Sequence, residues 1–169
     1  MAELFIELFS EEIPAKLQID ARDKIRQLIE EKLQKKEINF TSSKSFSTPK
    51  RLVVFITGIA EKIEQKKKII KGPRVGVPQT ALDGFINSNK LNKSDIVKKS
   101  TDKGEFYFAE TKLKVIYALK ELQSIIPEAL KAYSWKKPMK WSTYDLNWSR
   151  PLKSIIALFD NKLVNFNFF

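Results

Sequence analysis

The sequence has no cysteine and no histidine. Those two absences exclude disulfides, thiol nucleophiles, Cys or His metal sites and imidazole acid-base catalysis. A chain without thiols also fits a reducing cytoplasm. No apolar run approaches the ~20 residues of a membrane span, so no membrane is expected among the partners. The opening MAELFIELFSEE carries acid where an export signal needs base, so it is not read as a targeting segment and a cytoplasmic location is expected.

What is present is enough to fold. The chain has 169 residues, 43% of them hydrophobic, and can bury a core as one domain or two small lobes. Lys and Arg number 31 against 20 Asp and Glu, a net charge of +11. Such a balance favours polyanionic partners such as RNA, DNA or acidic lipid, although a Lys-rich solubilising surface would produce it too.

Periodicity organises the chain as α+β, with mixed, largely antiparallel sheets and two main amphipathic helices. The run Glu3 to Phe9 reads as a buried strand. Pro14 suits a first helical position, and Ile13, Leu17, Ala21, Ile25, Leu28, Ile29 and Leu33 recur at helical spacing. Strand character returns in INFTSSKSFST and again from Arg51 to Ile59. The segment EKIEQKKKIIK predicts a strand whose Lys66, Lys67 and Lys68 would discourage edge pairing. Gly72 to Gln79, GPRVGVPQ, predicts a loop dividing two lobes, 1–72 and 80–169.

Beyond it, ALDGFINSN predicts a short helix, with Asn92 or Ser94 capping the next turn. IVKKS and EFYFAET flank TDKG as a β-hairpin, with Phe106 and Phe108 on one face and Tyr107 and Ala109 on the other. Val115, Leu119, Leu122, Ile126, Ala129, Leu130 and Tyr133 form a second helical stripe, which Pro127 is expected to kink or restart. SIIALF, a turn at Asp160 and Asn161, and KLVNFNFF predict a closing hairpin. The sequence stopping inside that strand suggests a piece of a longer protein.

The residues offer no complete active site. KGPRVG lacks the GxxxxGK[ST] spacing of a phosphate loop and no strand-to-helix switch is expected to frame it. Glu11 and Glu12 are adjacent, a poor acid-base geometry, and are better suited to the positive end of a helix. Asp102, Glu105 and Asp145 show no metal-ligand spacing. No catalytic, metal or cofactor residue is therefore assigned. WKKPMKW, Trp135 to Trp141, places flat rings beside ammonium groups, which suits stacking with phosphate contact; the competing reading makes Trp135, Trp141 and Trp148 core anchors. In STPKRLVVF, Pro49 is expected to hold the chain extended, so that Lys50 and Arg51 project from opposite faces of a strand start.

Taken in order, FIELFSEEIPAK, FSTPKRLVVFITGIAE, KGPRVG, ALDGFINSN, TDKGEFYF, KKPMKW and NWSRPLKSIIALFDNKLV resemble the N-terminal region of the β subunit of bacterial, two-subunit glycyl-tRNA synthetase. The resemblance runs from about Leu4 to the last residue. It implies an α2β2 ligase that joins glycine to its tRNA with ATP and Mg²⁺, the adenylate chemistry lying in the α subunit and the β subunit supplying tRNA binding. Family β chains are several times longer, with HD-type and anticodon-binding domains after this region.

The family's TP(R/K)RL pattern falls on Thr48 to Leu52, its KGP on Lys71 to Pro73, its TDKGE on Thr101 to Glu105, and its M(R/K)W and RP elements on Met139 to Trp141 and Arg150 with Pro151. The candidate tRNA contacts in this sequence are the cations Lys50, Arg51, Lys71, Arg74, Lys137, Lys140 and Arg150. Lys50 and Lys140 stand where Arg is usual, which keeps charge and loses the bidentate fork. The alternative is a structural region that contacts the α subunit or later β domains without touching tRNA.

Overall fold

The computed structural model describes residues 1–65, 69–89, 91–101, 104–110, 114–140, 143 and 147–168. Its strands are β1 (Ala2–Ser10), β2 (Ser42–Thr48), β3 (Arg51–Ile59), β4 (Lys62–Gln65), β5 (Ile69–Arg74), β6 (Ile96–Thr101), β7 (Gly104–Glu110), β8 (Lys114–Tyr117), β9 (Met139–Lys140), β10 (Asn147–Trp148), β11 (Leu152–Phe159) and β12 (Lys162–Leu163). Three α-helices accompany them: α1 (Ala15–Lys35), α2 (Gln79–Asn89) and α3 (Ala118–Ala132). The α+β class and the dominance of antiparallel pairing follow from the sequence as expected.

The chain forms two compact units, Met1–Ile63 with Ile116–Phe169, and Glu64–Val115. The lobes expected at 1–72 and 80–169 are therefore not the units observed: the Gly72–Gln79 segment lies inside the second unit, and the first is built from both ends of the chain. The reason is strand pairing at long sequence separation, since β1 binds β11. Short strands β4 and β8 pair where the chain passes between the units.

The first unit is a five-stranded antiparallel sheet in the order β12-β11-β1-β3-β2. Alternation in β1 sends Leu4, Ile6 and Leu8 to one face, directly opposite Ile56, Val54 and Leu52 of β3. That face is closed by α1, through Ala21, Ile25, Ile29 and Leu33, and by Leu122, Ile126 and Ala129 of α3. Lys32 and Lys36 of the α1 C-terminal end tie it to Glu128 and Glu121 of α3 at 2.8 and 2.9 Å. Pro14 stands one place before the expected position, as the residue that precedes the first helical turn.

α3 continues through Pro127 instead of restarting there. A proline inside a helix costs roughly 3 kcal/mol, and the buried Ile125, Ile126, Ala129 and Leu130 around it offset that penalty. Val115 belongs to β8 and not to the helix. The closing hairpin is shorter than expected, two residues of β12 after a turn in which Asp160 and Asn161 take φ of 47° and 61°. Two consecutive left-handed residues are the hairpin geometry that matches strand twist.

Just beyond α3, Tyr133 is buried, and its hydroxyl lies 3.4 Å from Asp20 Oδ2. Burial, reinforced by the Asp20 charge, pushes its pKa up to about 12 from 10.0. Between those values an unfolded chain releases a proton that the folded chain keeps, so stability falls as pH rises through that window. Urea denaturation at about pH 9 and about pH 11 is expected to show a steeper loss for the parent than for Tyr133→Phe. Equal losses in the two proteins would contradict this account of Tyr133.

The second unit is an antiparallel sheet in the order β5-β7-β6 with α2 on one face. β6 and β7 form the expected hairpin, Thr101 paired with Gly104; Asp102 and Lys103 lie outside the described residues. β5 runs further than the sequence suggests, through Gly72, Pro73 and Arg74, with an irregularity in its pairing between Lys71 and Arg74. A bulge is where proline is tolerated in a sheet. Asn92 precedes a single 3₁₀ turn, Lys93–Asp95, and its backbone N–H donates to Asp95 Oδ2 at 3.2 Å.

Candidate nucleic-acid interface

In the first unit, three connections converge where β1 gives way to α1. Thr48 and Arg51 are paired, so Pro49 and Lys50 are the two residues of a tight turn. The extended approach expected at Pro49 is thus a hairpin turn, which Thr48 Oγ1 braces by accepting the Arg51 N–H at 3.1 Å. Its outward carbonyls bind the next connection: Ser10 N donates to Lys50 O at 2.9 Å and Ile13 N to Pro49 O at 2.7 Å. Glu11 N donates to Pro151 O at 3.0 Å. Arg150 completes the junction, its Nε donating to Glu12 O at 3.2 Å.

This junction carries Lys50, Arg51, Lys137 and Arg150, and two cations that sequence reasoning passed over, Lys16 and Lys153. A cavity of about 380 Å³ is bounded by Pro14, Lys16, Lys137 and Arg150. Glu11 is not in the helix, which begins at Ala15. It pairs with Lys153 at 2.6 Å, and that bonded ammonium, assisted by the charge of Lys50, lowers its carboxyl below the usual range.

Lys50 and Arg51 have different surroundings. Arg51 lies opposite Phe9, its guanidinium 4.6 Å from the centre of that ring and its Nε 3.3 Å from Glu7 Oε2. It is fastened to the sheet. Lys50, half-buried, sits in the turn itself. Lys140 is exposed on β9, opposite Asn147.

The outer face of the five-stranded sheet mixes apolar and charged side chains, with Glu7 opposite Val53 and Ile156, and Lys44 opposite Phe55. Phe5 faces both Phe55 and Leu158, and Val53 faces Phe46. Phe46 is 53% and Ile156 43% exposed, so among the described residues no helix covers this side.

The aromatic residues of WKKPMKW divide. Trp135 is 4% exposed and Trp148 1%, and both are core: Trp135 meets Tyr133 edge-on at 4.9 Å and Trp148 at 5.0 Å. The core reading holds for these two. Trp141 lies outside the described residues, as do Lys66, Lys67, Lys68 and Asp145.

In the second unit, Lys71 and Arg74 of β5 lie beside Phe108 and Phe106 of β7. Lys71 Nζ stands 3.6 Å over the Phe106 ring, and Lys99 Nζ 6.0 Å over that of Phe108. Sequence alternation had placed the two rings together; Lys99 joins them through its register opposite Phe106. Glu105, on the same strand, is exposed.

Among the described residues no three acidic side chains come together to hold a metal. Contrary to expectation, KGPRVG does lead from a strand toward a helix: its first four residues end β5 and α2 begins at Gln79. Its glycine serves packing, however: a Cβ at Gly72 would come within 2.8 Å of the Phe85 ring.

The described residues thus gather cations on connections in the first unit and on one sheet face in the second. Residues 4–169 match a family model described as the glycyl-tRNA synthetase beta subunit. The chain is 38% identical over 165 residues to the glycine-tRNA ligase beta subunit of Rhodospirillum centenum, covering 97% of this chain and 23% of that protein. With the Paracoccus denitrificans subunit the identity is 35% over 162 residues, 96% of this chain and 24% of the relative. With that of Rickettsia bellii it is 34% over 168 residues, 99% and 25%. The chain belongs to the glycyl-tRNA synthetase β-subunit family and represents an N-terminal region of that subunit. It spans about a quarter of the length of the curated relatives it matches.

Proposed function

We propose that this chain contributes tRNA binding and subunit assembly to glycine-tRNA ligase in the cytoplasm, during ATP-dependent formation of glycyl-tRNA. Its partners in this reading are glycine tRNA and the α subunit of an α2β2 enzyme, with ATP and Mg²⁺ bound at the α subunit. The observation that carries the reading is the junction at the start of α1. Three of the seven cations singled out in the sequence, Lys50, Lys137 and Arg150, belong to connections gathered there or border its cavity. A net charge of +11 supplies the long-range attraction for a polyanion.

Assembly draws support from a different surface. An antiparallel sheet with one face solvated normally turns polar residues outward. Here Phe5, Phe46, Val53, Phe55 and Ile156 face out among Glu7, Lys44 and Arg51, apolar area that a protein contact would cover. Arg51, held by Glu7 and Phe9, lies on that face, whereas Lys50 lies in the turn.

The two cations should therefore separate. Lys50→Ala is expected to weaken binding to cognate and unrelated tRNA alike and to reduce the salt slope of log K by roughly 0.7 to 0.9. Arg51→Ala is expected to leave that slope nearly unchanged while reducing α-subunit binding. Titrations of the 169-residue chain against both tRNAs at several salt concentrations, with and without α, test this. An unchanged slope for Lys50→Ala removes it from the tRNA contact, and absence of tRNA binding by the parent overturns the tRNA half of the reading.

A further inference from the structure

We propose that the open face of the β5-β7-β6 sheet binds single-stranded RNA, with unpaired bases stacked on Phe106 and Phe108 and phosphates held by Lys71, Lys99 and Arg74. This adds a second surface, and an RNA conformation, to the tRNA binding proposed above, and it rests on that reading.

The register divides the sheet cleanly. Directly opposed residues of antiparallel strands share a face, so Phe106 and Phe108 lie with Lys99 and Val97 of β6 and with Lys71 and Arg74 of β5. The other face is filled: Ala109 and Ile96 pack against Leu82, Phe85 and Ile86 of α2. The first face has no such cover among the described residues. Val97 on it is 55% exposed, and both rings are half-buried.

Residues two apart on one strand place their rings about 7 Å from each other, a spacing suited to successive bases of an extended strand. Bases in a duplex already stack on one another and cannot offer their faces to a ring, which favours unpaired RNA. The cations stand where the backbone of that strand would run. Lys71 and Lys99 are diagonal neighbours of the rings, and their flexible stems let each ammonium swing from ring to phosphate.

Arg74 is placed by Gly104: a Cβ on that glycine would come within 3.0 Å of the guanidinium, so the arginine lies across the hairpin end on the same face. Among the described residues of these strands one acid, Glu110, shares the face, opposite Ile69 at its far end. Three cations against one acid complement a polyanion. The same lysines argue against an apolar protein partner, because lysine is depleted from the centres of protein interfaces.

The test uses the 169-residue chain with a fluorescein-labelled uridine oligonucleotide of about eight nucleotides, a blunt RNA duplex and glycine tRNA. Preference for the oligonucleotide over the duplex is expected. Phe106→Leu and Phe108→Leu, which keep the apolar bulk, should each weaken oligonucleotide binding about ten-fold. Lys71→Gln with Lys99→Gln should reduce its salt slope by roughly 1.4, two contacts at about 0.7 each for single strands.

Should a leucine variant unfold in thermal melts, photocrosslinking of the parent to a 4-thiouridine oligonucleotide decides, with peptides from 104–110 or 96–101 expected among the adducts. Crosslinks confined to other segments, or variants that fold and bind the oligonucleotide like the parent, overturn the proposal while leaving tRNA binding by this chain intact. A parent that binds tRNA and the oligonucleotide through neither cluster overturns both.

Discussion

Trp148→Ala is expected to destabilise the chain by ~3–5 kcal/mol. Its indole is 1% exposed and sits inside a run of edge-on aromatic contacts, 5.0 Å from Trp135 and 6.2 Å from Phe168. Removing the ring would leave a cavity bounded by other large rings, which cannot collapse into it without leaving their own contacts. Trp148→Phe keeps part of the volume and should lose markedly less. Urea unfolding followed by far-ultraviolet circular dichroism measures both. A Trp148→Ala protein within about 1 kcal/mol of the parent that binds RNA poorly would return this ring to the role of a stacking platform.

Composition alone leaves Trp148 undecided, because a ring among cations suits either role. Burial resolves it, and burial depends on partners distant in sequence, such as Phe168. The same limit explains what was and was not legible in the fold. Strand β3 occupies the span that its β-branched run marks, Arg51 to Ile59, and α1 follows its apolar spacing. Hairpins close through neighbours in sequence, and β6-β7 and β11-β12 were visible, whereas the β2-β3 turn at Pro49 and Lys50 was read as an extended entry. The division into units was not, since it follows from β1 meeting β11 across most of the chain, a register no local pattern encodes.

The candidate interface divides along the same line. The basic motifs marked the cations, but only the opposition of Phe9 and Arg51 separates a fastened arginine from the turn lysine beside it. Lys16 and Lys153 carried no motif and enter through hydrogen bonds and packing that gather three distant connections. For the second unit the signal was present: alternation in EFYFAE puts two rings on one side. What it lacked was the neighbouring strands, whose register adds Lys71, Arg74 and Lys99.

Gly58→Ala is expected to be comparably severe, at ~2–5 kcal/mol, although it adds one methyl group at a half-buried position. Pairing between β1 and β3 passes from Ala2 opposite Ile59 to Glu3 opposite Thr57, so Gly58 is the extra residue of a bulge. Its φ of +80° is a conformation that L side chains rarely adopt, and a glycine in the left-handed region is what such bulges use. The space is closed as well. A Cβ would overlap the Thr41 side chain and lie 2.9 Å from the Thr41 backbone nitrogen, which is itself fixed by donating to Thr57 O at 2.8 Å. Pairing Gly58→Ala with Thr41→Gly separates the two causes: relief of the overlap should recover part of the loss, and the unfavourable φ should keep the remainder. Thermal melts of the two single variants and the double variant test this. A Gly58→Ala protein as stable as its parent would mean that the β1-β3 pairing accepts a regular register there and that the bulge is dispensable.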